Sequence, residues 1–553
     1  MAGAPGRGAM RRALVVGLAA VLALGLFFRH QIGNGFTLLL GDRHDAVIEL
    51  AILEHWVNVL AGRSAWDRTD YFFPVPGTLG YNDGYLLFGL LQAGFRAAGA
   101  DPFLGGELVN ATMRLIGFLG TYALGRRAFG LGWGWALLGA VLFTISNNLF
   151  IRGNHAQLFS VGLVPVVGLL LHGMLAALLQ RRWGAMLLWG AGFALGFAAV
   201  LMTGFYMAWY CAWFGGTLFL AWLLVAGPPA RRRLWEAIRA GAWPLAGLAL
   251  LAVAAEIPFL LLYLPKAAET GMHPWADVLK HVPSLLDIIH VGEANWLWGW
   301  LVRALNGAFR PSFPFWSELM TGMPPLLLLV FAAALVWLWR GGGEAPPARV
   351  ALLRALAIAV LVTWALTLQV GGVTGWSLFY RFVPGAKAAR VVARYQIFLT
   401  LPVVVLAMAV LSAEARRLPR LAVAALCTLL LAEQLNAHAP LFLDRPLEAG
   451  RLAAVPPPPP ACQAFYVSAA RRESRFGEEV DNPYNHNTEA MLVAAVRHLP
   501  TINGISTFNP PLWPEANPGD ADYLPQVRAY AAHWGVTGLC ALDLQRFTWS
   551  EAD

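Results

Sequence analysis

Long apolar runs recur through this chain of 553 residues, and several approach the roughly 20 residues that a membrane-spanning helix needs. Charged residues make up 13% of the sequence, whereas soluble domains carry about 25%. The runs therefore predict an all-α polytopic membrane protein. The net charge of +8 does not indicate a nucleic-acid partner, because the arginines lie mostly in short loops, where they orient the protein in the membrane.

One apolar run, 85–98, decides the topology. It is short for a crossing and contains Gln92 and Arg96, so we expect it to lie in the membrane interface. The loops on the same side of the membrane as the N-terminus are then all basic, which predicts that the N-terminus is cytoplasmic and the C-terminus lies outside. This choice predicts eleven spans, the first one uncleaved, at about 13–28, 103–125, 131–149, 157–178, 184–202, 205–226, 243–264, 323–339, 350–370, 395–412 and 419–436.

The composition changes near residue 440, which predicts a transmembrane domain at 1–440 and a small outer α/β domain at 441–553. A stiff run of prolines, 456–460, precedes strand-like stretches at 464–467 and 536–544, with a helix-like stretch between them. Cys462 and Cys540 lie within or beside these strands, and an oxidising compartment lets them form a disulfide. The alternative is that both are buried free thiols.

The first loop, 29–102, holds the densest acidic cluster near any apolar run. Asp42, Asp45 and Glu49 are spaced three and four residues apart, so on a helix their carboxylates lie on one side. Carboxylates at a membrane surface are costly unless they bind or react with something. The alternative is an interfacial helix whose polar side faces water, with Asp42 as its cap and Asp45 as a first-turn charge.

Two small polar groups lie on the same side of the membrane in this topology. Asn82 and Asp83 follow a turn-rich stretch of the first loop. Asn154, His155 and Gln157 lie at the mouth of a span, where helix capping and hydrogen bonding are the alternative roles.

A basic stretch that this topology places on the outer side of the membrane breaks the positive-inside rule. It contains Tyr380, Arg381, Lys387, Arg390 and Arg394. Arg390 and Arg394 are four residues apart, so on a helix they share a face, and such a pair suits a phosphate or pyrophosphate. The alternatives are contact with lipid headgroups and an ion pair with a carboxylate.

Carboxylates and cations together at a bilayer surface suit glycosyl transfer from a lipid-phosphate sugar. A carboxylate deprotonates an acceptor hydroxyl or amine, and the cations stabilise the leaving phosphate. The sequence contains no HExxH, paired CxxC, GxSxG or Walker-type motif, so nucleotide chemistry of the soluble type has no support.

Several stretches, in this order, resemble a group of bacterial proteins within the GT-C membrane glycosyltransferases. They are GDRHDAVIELAILEHW, YFFPVPGTLGYNDGYLL, GNHAQLFSVGLVPVVGLLL, LFYRFVPGAKAARVVARYQ and NGISTFNPPLWP. The resemblance implies a large first outer loop with interfacial helices, a catalytic acidic residue in that loop, a polyprenyl-phosphate-linked sugar donor and often a C-terminal outer domain. The paired prolines of the aminoarabinose-transferase type and a WWDYG-type motif are lacking, which leaves donor and acceptor open.

The resemblance predicts an enzyme of the bacterial inner membrane with a periplasmic C-terminus. It would transfer a hexosyl or pentosyl group, with inversion, to an envelope lipid, glycan or polymer, in contact with membrane lipid. No cofactor is certain, and a divalent cation is possible. The alternatives are a non-catalytic assembly factor for envelope polysaccharide and a lipid or anion transporter.

We expect Asp45 to be the base, with Asp42 as second choice. The positive end of the helix dipole favours the Asp45 carboxylate, and the like charge of Glu49 raises the pKa of one partner, so that the base is tuned toward its working pH. Asp42 then holds the acceptor or a divalent ion. The group around His155 closes the site, and the pair at 82–83 lies on its far side.

Overall fold

The protein is described by a computed structural model that covers residues 7–314, 317–472, 476, 485–513 and 516–551. The helices up to residue 440 are α1 (Arg7–Phe27), α2 (Arg29–Gly33), α3 (Asp45–Leu60), α4 (Leu86–Ala97), α5 (Pro102–Arg127), α6 (Trp133–Thr144), α7 (Asn147–Ile151), α8 (Val164–Leu179), α9 (Trp183–Leu201), α10 (Phe205–Val225), α11 (Pro228–Ala240), α12 (Ala242–Thr270), α13 (Trp275–Lys280), α14 (Gly299–Phe309), α15 (Pro325–Trp339), α16 (Pro347–Thr367), α17 (Trp376–Phe382), α18 (Tyr395–Glu414) and α19 (Arg420–Ala432).

Short elements connect these helices. The strands in this part of the chain are β1 (Leu38–Leu39), β2 (Gln369–Val370) and β3 (Val373–Thr374), and β2 and β3 form an antiparallel pair. The 3-10 turns are Thr78–Tyr81, Ala156–Leu163, Leu285–Ile289, Ala386–Ala388, Val392–Arg394 and Ala415–Arg417.

The chain is a polytopic membrane protein. Within the described residues, 8 helical segments are long and apolar enough to cross a membrane. One of them joins α6 to α7, and another joins the 3-10 turn Ala156–Leu163 to α8. All of the predicted spans coincide with helices. The three that do not count among the 8 are α5, which carries Glu107 and Arg114, and the shorter helices α15 and α19. The total of eleven crossings and their orientation stay predictions.

The first loop is organised around α3, which is buried over almost its whole length. The helix packs against α4 and α5, and its side chains are mostly apolar. Gly89 of α4 lies directly against Trp56 of α3, where a Cβ atom would come within 2.4 Å of the Trp56 side chain. The Trp56 Nε1 donates a hydrogen bond to the Gly84 carbonyl at 2.6 Å, which fixes the turn before α4.

The C-terminal part contains a three-stranded sheet. Its elements are β4 (Leu443–Asp444), α20 (Arg445–Ala454), β5 (Ala464–Ala469), α21 (Asn485–Arg497), α22 (Tyr523–Trp534), β6 (Leu539–Asp543) and β7 (Thr548–Glu551). β5 pairs in parallel with β6, in the register Phe465 to Cys540, and β7 adds an antiparallel edge. The predicted strands therefore occur at 464–469 and 539–543, while β7 was not predicted. A disulfide joins Cys462 to Cys540, with Cα atoms 5.6 Å apart.

The C-terminal part packs on the first loop. β4 pairs with β1, and α21 packs against α3, where Asn58 Nδ2 donates to the Ala495 carbonyl at 2.7 Å. The backbone amides of Phe72 and Phe73 donate to the carbonyls of Asn503 and Thr501. The division at residue 440 stays a prediction, since strand pairing crosses it.

Candidate active site

His155 lies between two carboxylates that come from distant parts of the chain. Its Nδ1 is 2.9 Å from Asp45 Oδ2, at the start of α3, and its Nε2 is 2.7 Å from Glu318 Oε1, in the loop before α15. Asn154 Nδ2 also lies 3.2 Å from Nε2. The imidazole is buried, and its pKa is raised, because the attraction of Glu318 and Asp45 outweighs the effect of burial.

Glu318 gathers two arginines as well as His155, and the sequence did not indicate it. Arg152 Nη2 lies 2.8 Å from Glu318 Oε1, and Arg394 approaches both carboxylate oxygens, at 3.1 and 3.3 Å. Burial alone raises the pKa of Glu318, but the surrounding cations lower it well below its usual range. One signal could have found Arg152, because the predicted topology places it, like Arg394, on the outer side, where the positive-inside rule expects few arginines.

Asp45 begins α3 and is the most exposed member of this ion-paired cluster, with 39% of its side chain accessible against 6% for His155. Burial raises the pKa of Asp45, but the contact with His155 and the charges of His44 and Arg394 outweigh it, so the pKa is lowered. The expectation that Asp45 is tuned upward is therefore wrong. Its carboxylate is ionised throughout the physiological range.

The N-cap position of α3 is held by His44, not by Asp42, which supports the start of the helix from two residues before it. Asp42 Oδ1 accepts hydrogen bonds from the backbone amides of His44 and Asp45, at 2.9 and 2.8 Å, and thereby starts α3. Burial and the nearby charge of Asp45 raise the pKa of Asp42.

Glu49 is buried and anchors the loop that carries His155. Both of its oxygens lie 3.0 Å from the Ala156 amide, and Tyr85 donates its hydroxyl at 3.0 Å. The Gln157 amide bridges the two halves of the site, donating to Glu49 Oε1 at 2.6 Å and accepting from Arg394 Nη1 at 3.2 Å. Burial and the charge of Asp45 raise the pKa of Glu49 to about 8. Of Asp45 and Glu49, Glu49 is thus the residue whose pKa is raised. Its contacts favour a role in positioning the loop that carries His155 over the predicted role in substrate binding.

Asp83 and Asn82 lie where the first loop meets α10 and the C-terminal part. Asp83 Oδ1 accepts a hydrogen bond from the Phe205 amide at 2.7 Å. Burial raises the pKa of Asp83 to about 6, although Phe205 and the charge of Arg394 act against the rise. Asn82 Nδ2 donates to Ser506 Oγ at 3.0 Å.

The basic stretch does not form the expected helix. Residues 383–394 contain two 3-10 turns, and α18 begins only at Tyr395, so Arg390 and Arg394 do not share a helical face. Arg394 is buried against Glu318, whereas Arg390 is exposed. For Arg394 the structure therefore shows the ion pair with a carboxylate that was one of the alternatives.

The remaining members of the basic stretch lie at the surface. Tyr380 donates its hydroxyl to the His273 carbonyl at 2.9 Å, and the Lys387 ammonium lies 5.4 Å from the centre of the Tyr380 ring. Arg381 is exposed at the end of α17. Among the residues that the structure describes, no group of three or more His, Cys, Asp and Glu side chains is arranged to hold a metal ion.

Comparison with protein-family models and with curated proteins finds no match. Solved structures with similarity to this chain include three membrane enzymes. The Archaeoglobus fulgidus oligosaccharyltransferase complex with Zn and sulfate is 13% identical, with a TM-score of 0.49 over 95% of this chain and 67% of that one. The mycobacterial arabinofuranosyltransferase AftD is 18% identical, with a TM-score of 0.44 over 82% of this chain but only 29% of its own. ArnT from Cupriavidus metallidurans bound to undecaprenyl phosphate is 14% identical, with a TM-score of 0.37 over 89% and 85%.

These similarities are too distant to assign an activity or the role of any residue. The order of the chain's parts agrees with the architecture that the sequence resemblance implies. A first apolar helix leads into a large loop with two helices, α3 and α4, a bundle of apolar helices follows, and a sheet-containing C-terminal part packs back on the loop.

Proposed function

We propose that this protein is a membrane glycosyltransferase that moves a sugar from a polyprenyl-phosphate donor to an envelope lipid, glycan or polymer on the periplasmic side. The observation that carries the proposal is the accessible, ionised Asp45 carboxylate, which lies against a buried cluster of cations at the start of α3. Its place in the first loop agrees with the catalytic acidic residue that the sequence resemblance implies.

The reaction needs one group that accepts a proton and another that stabilises the leaving phosphate. The acceptor oxygen or nitrogen forms a bond to the anomeric carbon, its proton passes to Asp45, and the bond from that carbon to the phosphate oxygen breaks with the electron pair leaving on the phosphate. Attack from the face opposite the phosphate inverts the anomeric carbon. Asp83, whose pKa of about 6 is closer to neutral, is the second candidate for the base.

Arg390 is the better candidate for the donor phosphate, because Arg394 is already engaged by Glu318. The Arg390 guanidinium is exposed and has no hydrogen-bond or ion-pair partner among the described residues. Burial lowers the pKa of His273 and His281, and the charge of Arg390 lowers both further. Arg390 therefore lies near the two ends of α13, since His273 precedes that helix and His281 follows it. A solvated arginine at the membrane surface can bind two phosphate oxygens at once.

The test is transfer activity of the purified full chain in lipid nanodiscs, assayed with a panel of radiolabelled polyprenyl-phosphate sugars. Asp45→Asn is expected to lower the rate by about 100-fold or more, the usual contribution of a positioned base, with normal expression and folding. Asp522→Asn changes an exposed carboxylate before α22 and serves as the control. Full activity of the Asp45→Asn protein with a verified donor would favour the assembly-factor or transporter alternative.

A further inference from the structure

The short helix α11 is held at one surface of the membrane by the helices on either side of it. It connects α10 to α12, and both of these are long and apolar enough to cross the bilayer. Two residues separate α10 from α11, and the single residue Gly241 separates α11 from α12. Such short connections keep α11 at the level where the two spans leave the hydrocarbon, on the side that the predicted topology makes cytoplasmic.

One narrow stripe of α11 packs within the protein. Ala237 is buried, and Leu234 and Ile238 lie against the same apolar cluster, which includes Leu178 of α8 and Met186 of α9. These three positions of α11 are three and four residues apart, so they form one side of the helix. The other side chains of α11 are exposed. The fold therefore explains the apolar stripe and leaves the rest of the helix surface uncovered.

The uncovered surface of α11 is cationic and carries a tryptophan. The helix contains four arginines and one glutamate, and all four arginines are exposed: Arg231, Arg232, Arg233 and Arg239. Glu236 pairs with Arg232 at 2.7 Å, which leaves a net charge of +3 on the helix. Trp235 is 54% exposed, and the guanidinium of Arg239 lies 4.9 Å from the centre of its ring. Arg181 and Arg182, in the adjacent connection between α8 and α9, are exposed as well.

We propose that α11 is a docking surface for anionic phospholipid headgroups of the membrane that the protein spans. Clusters of four or more arginines on an amphipathic helix beside a span attract anionic lipids, and tryptophan rings prefer the headgroup level. Orientation by basic loops needs only the charges, whereas here the charges are fixed on an ordered helix beside an exposed indole ring. The proposal concerns lipid binding and does not depend on glycosyl transfer.

The experiment measures lipid binding to the detergent-purified full chain by native mass spectrometry. The chain is titrated with dioctanoyl phosphatidylglycerol, which is anionic, and with dioctanoyl phosphatidylcholine, which is neutral overall. Wild-type protein is expected to bind phosphatidylglycerol about tenfold or more tightly, and the triple variant Arg231→Gln, Arg232→Gln, Arg233→Gln is expected to lose this preference.

The matched control changes three exposed arginines elsewhere on the same predicted side of the membrane. It carries the substitutions Arg416→Gln, Arg417→Gln and Arg420→Gln. Because the total change in charge is the same, this variant is expected to keep the preference for phosphatidylglycerol if that preference belongs to α11. Glycerol 1-phosphate, which has the phosphate but no acyl chain, is expected not to displace the lipid at the same concentration.

Equal affinity of the wild-type protein for the two lipids would overturn the proposal. A triple variant of α11 that keeps the preference, or a control variant that loses it to the same extent, would overturn it too. Displacement by glycerol 1-phosphate would assign the arginines to free phosphate esters instead of a membrane surface. If the triple variant does not fold, Arg239→Gln takes its place, with an expected loss of about threefold or more in phosphatidylglycerol affinity, and an unchanged affinity would refute the proposal.

Discussion

Replacing Glu318 by Gln is the perturbation that the site should tolerate least. The change keeps the shape of the side chain and removes one negative charge. That charge lies 2.7–3.1 Å from three cationic groups on His155, Arg152 and Arg394. The side chains of the two arginines are only 4% and 6% exposed, so water cannot take over the role of the lost carboxylate.

The expected size of the effect follows from this burial. Removing one partner of a buried ion pair typically costs about 3–5 kcal/mol, because the other charge is left uncompensated. Two buried arginines lose their partner here, although His155 can release its proton and so reduce the repulsion. We therefore expect Glu318→Gln to lower the free energy of unfolding by about 3–5 kcal/mol.

The assay is reversible denaturant unfolding of the full chain in detergent, followed by circular dichroism. Glu236→Gln is the matched control, because Glu236 pairs with Arg232 at 2.7 Å and both side chains are more than half exposed. Surface pairs of this kind contribute about 0–1 kcal/mol. A loss for Glu318→Gln no larger than that of the control would refute the view that Glu318 holds the cationic cluster together.

Three further predictions concern separate features. Arg390→Ala should weaken binding of a polyprenyl-phosphate sugar, measured by titration in nanodiscs, with unchanged Tm, whereas Lys280→Ala, at the end of α13, should change neither the binding nor the Tm. The pKa of His155 is higher in the folded protein than the ordinary value of about 6.5, so its contribution to stability is complete below pH 6.5 and lost as pH rises through the raised value; unfolding curves across this range should show the loss in wild type but not in His155→Gln. The Cys462–Cys540 disulfide closes a loop with a sequence separation of 78, so replacing both cysteines by serine should lower the stability of the C-terminal part by at most about 4 kcal/mol and remove the shift in gel mobility between oxidised and reduced protein.

The helices could be predicted because their signal is local. The length and apolarity of each run are sufficient to predict a spanning helix, and the basic loops predict which connections lie inside and which lie outside. The start of α3 was equally readable, since Asp42 accepts a hydrogen bond from the amide of Asp45, the first residue of that helix. The strand β7 was missed because it is short and largely exposed, which leaves little hydrophobic pattern.

The cluster itself could be predicted only in part. The sequence indicated Asp45, His155 and Arg394 as members, since each is unusual for a membrane loop. Glu318 lies in a loop without regular periodicity. Its partner Arg394 is 76 residues away along the chain, and its partner His155 is more than 150 residues away. No spacing rule reaches that far, so only the packing of the helices brings the carboxylate to His155. The prediction that Arg390 and Arg394 share a helical face was wrong for the opposite reason, because it assumed a local helical spacing where the chain makes 3-10 turns.

The contact between the first loop and the C-terminal part has a consequence for biosynthesis. Asn58 and Ala495, which hydrogen-bond to each other, are 437 residues apart. A ribosome that adds about 5–20 residues per second needs about 20–90 seconds to make that stretch. Throughout this interval the amides of Phe72 and Phe73 lack their carbonyl partners in the nascent chain. The loop that carries Asp45 therefore reaches its final form only after nearly the whole polypeptide has been inserted, and chains that terminate early should present this loop to chaperones and proteases in an unfinished state.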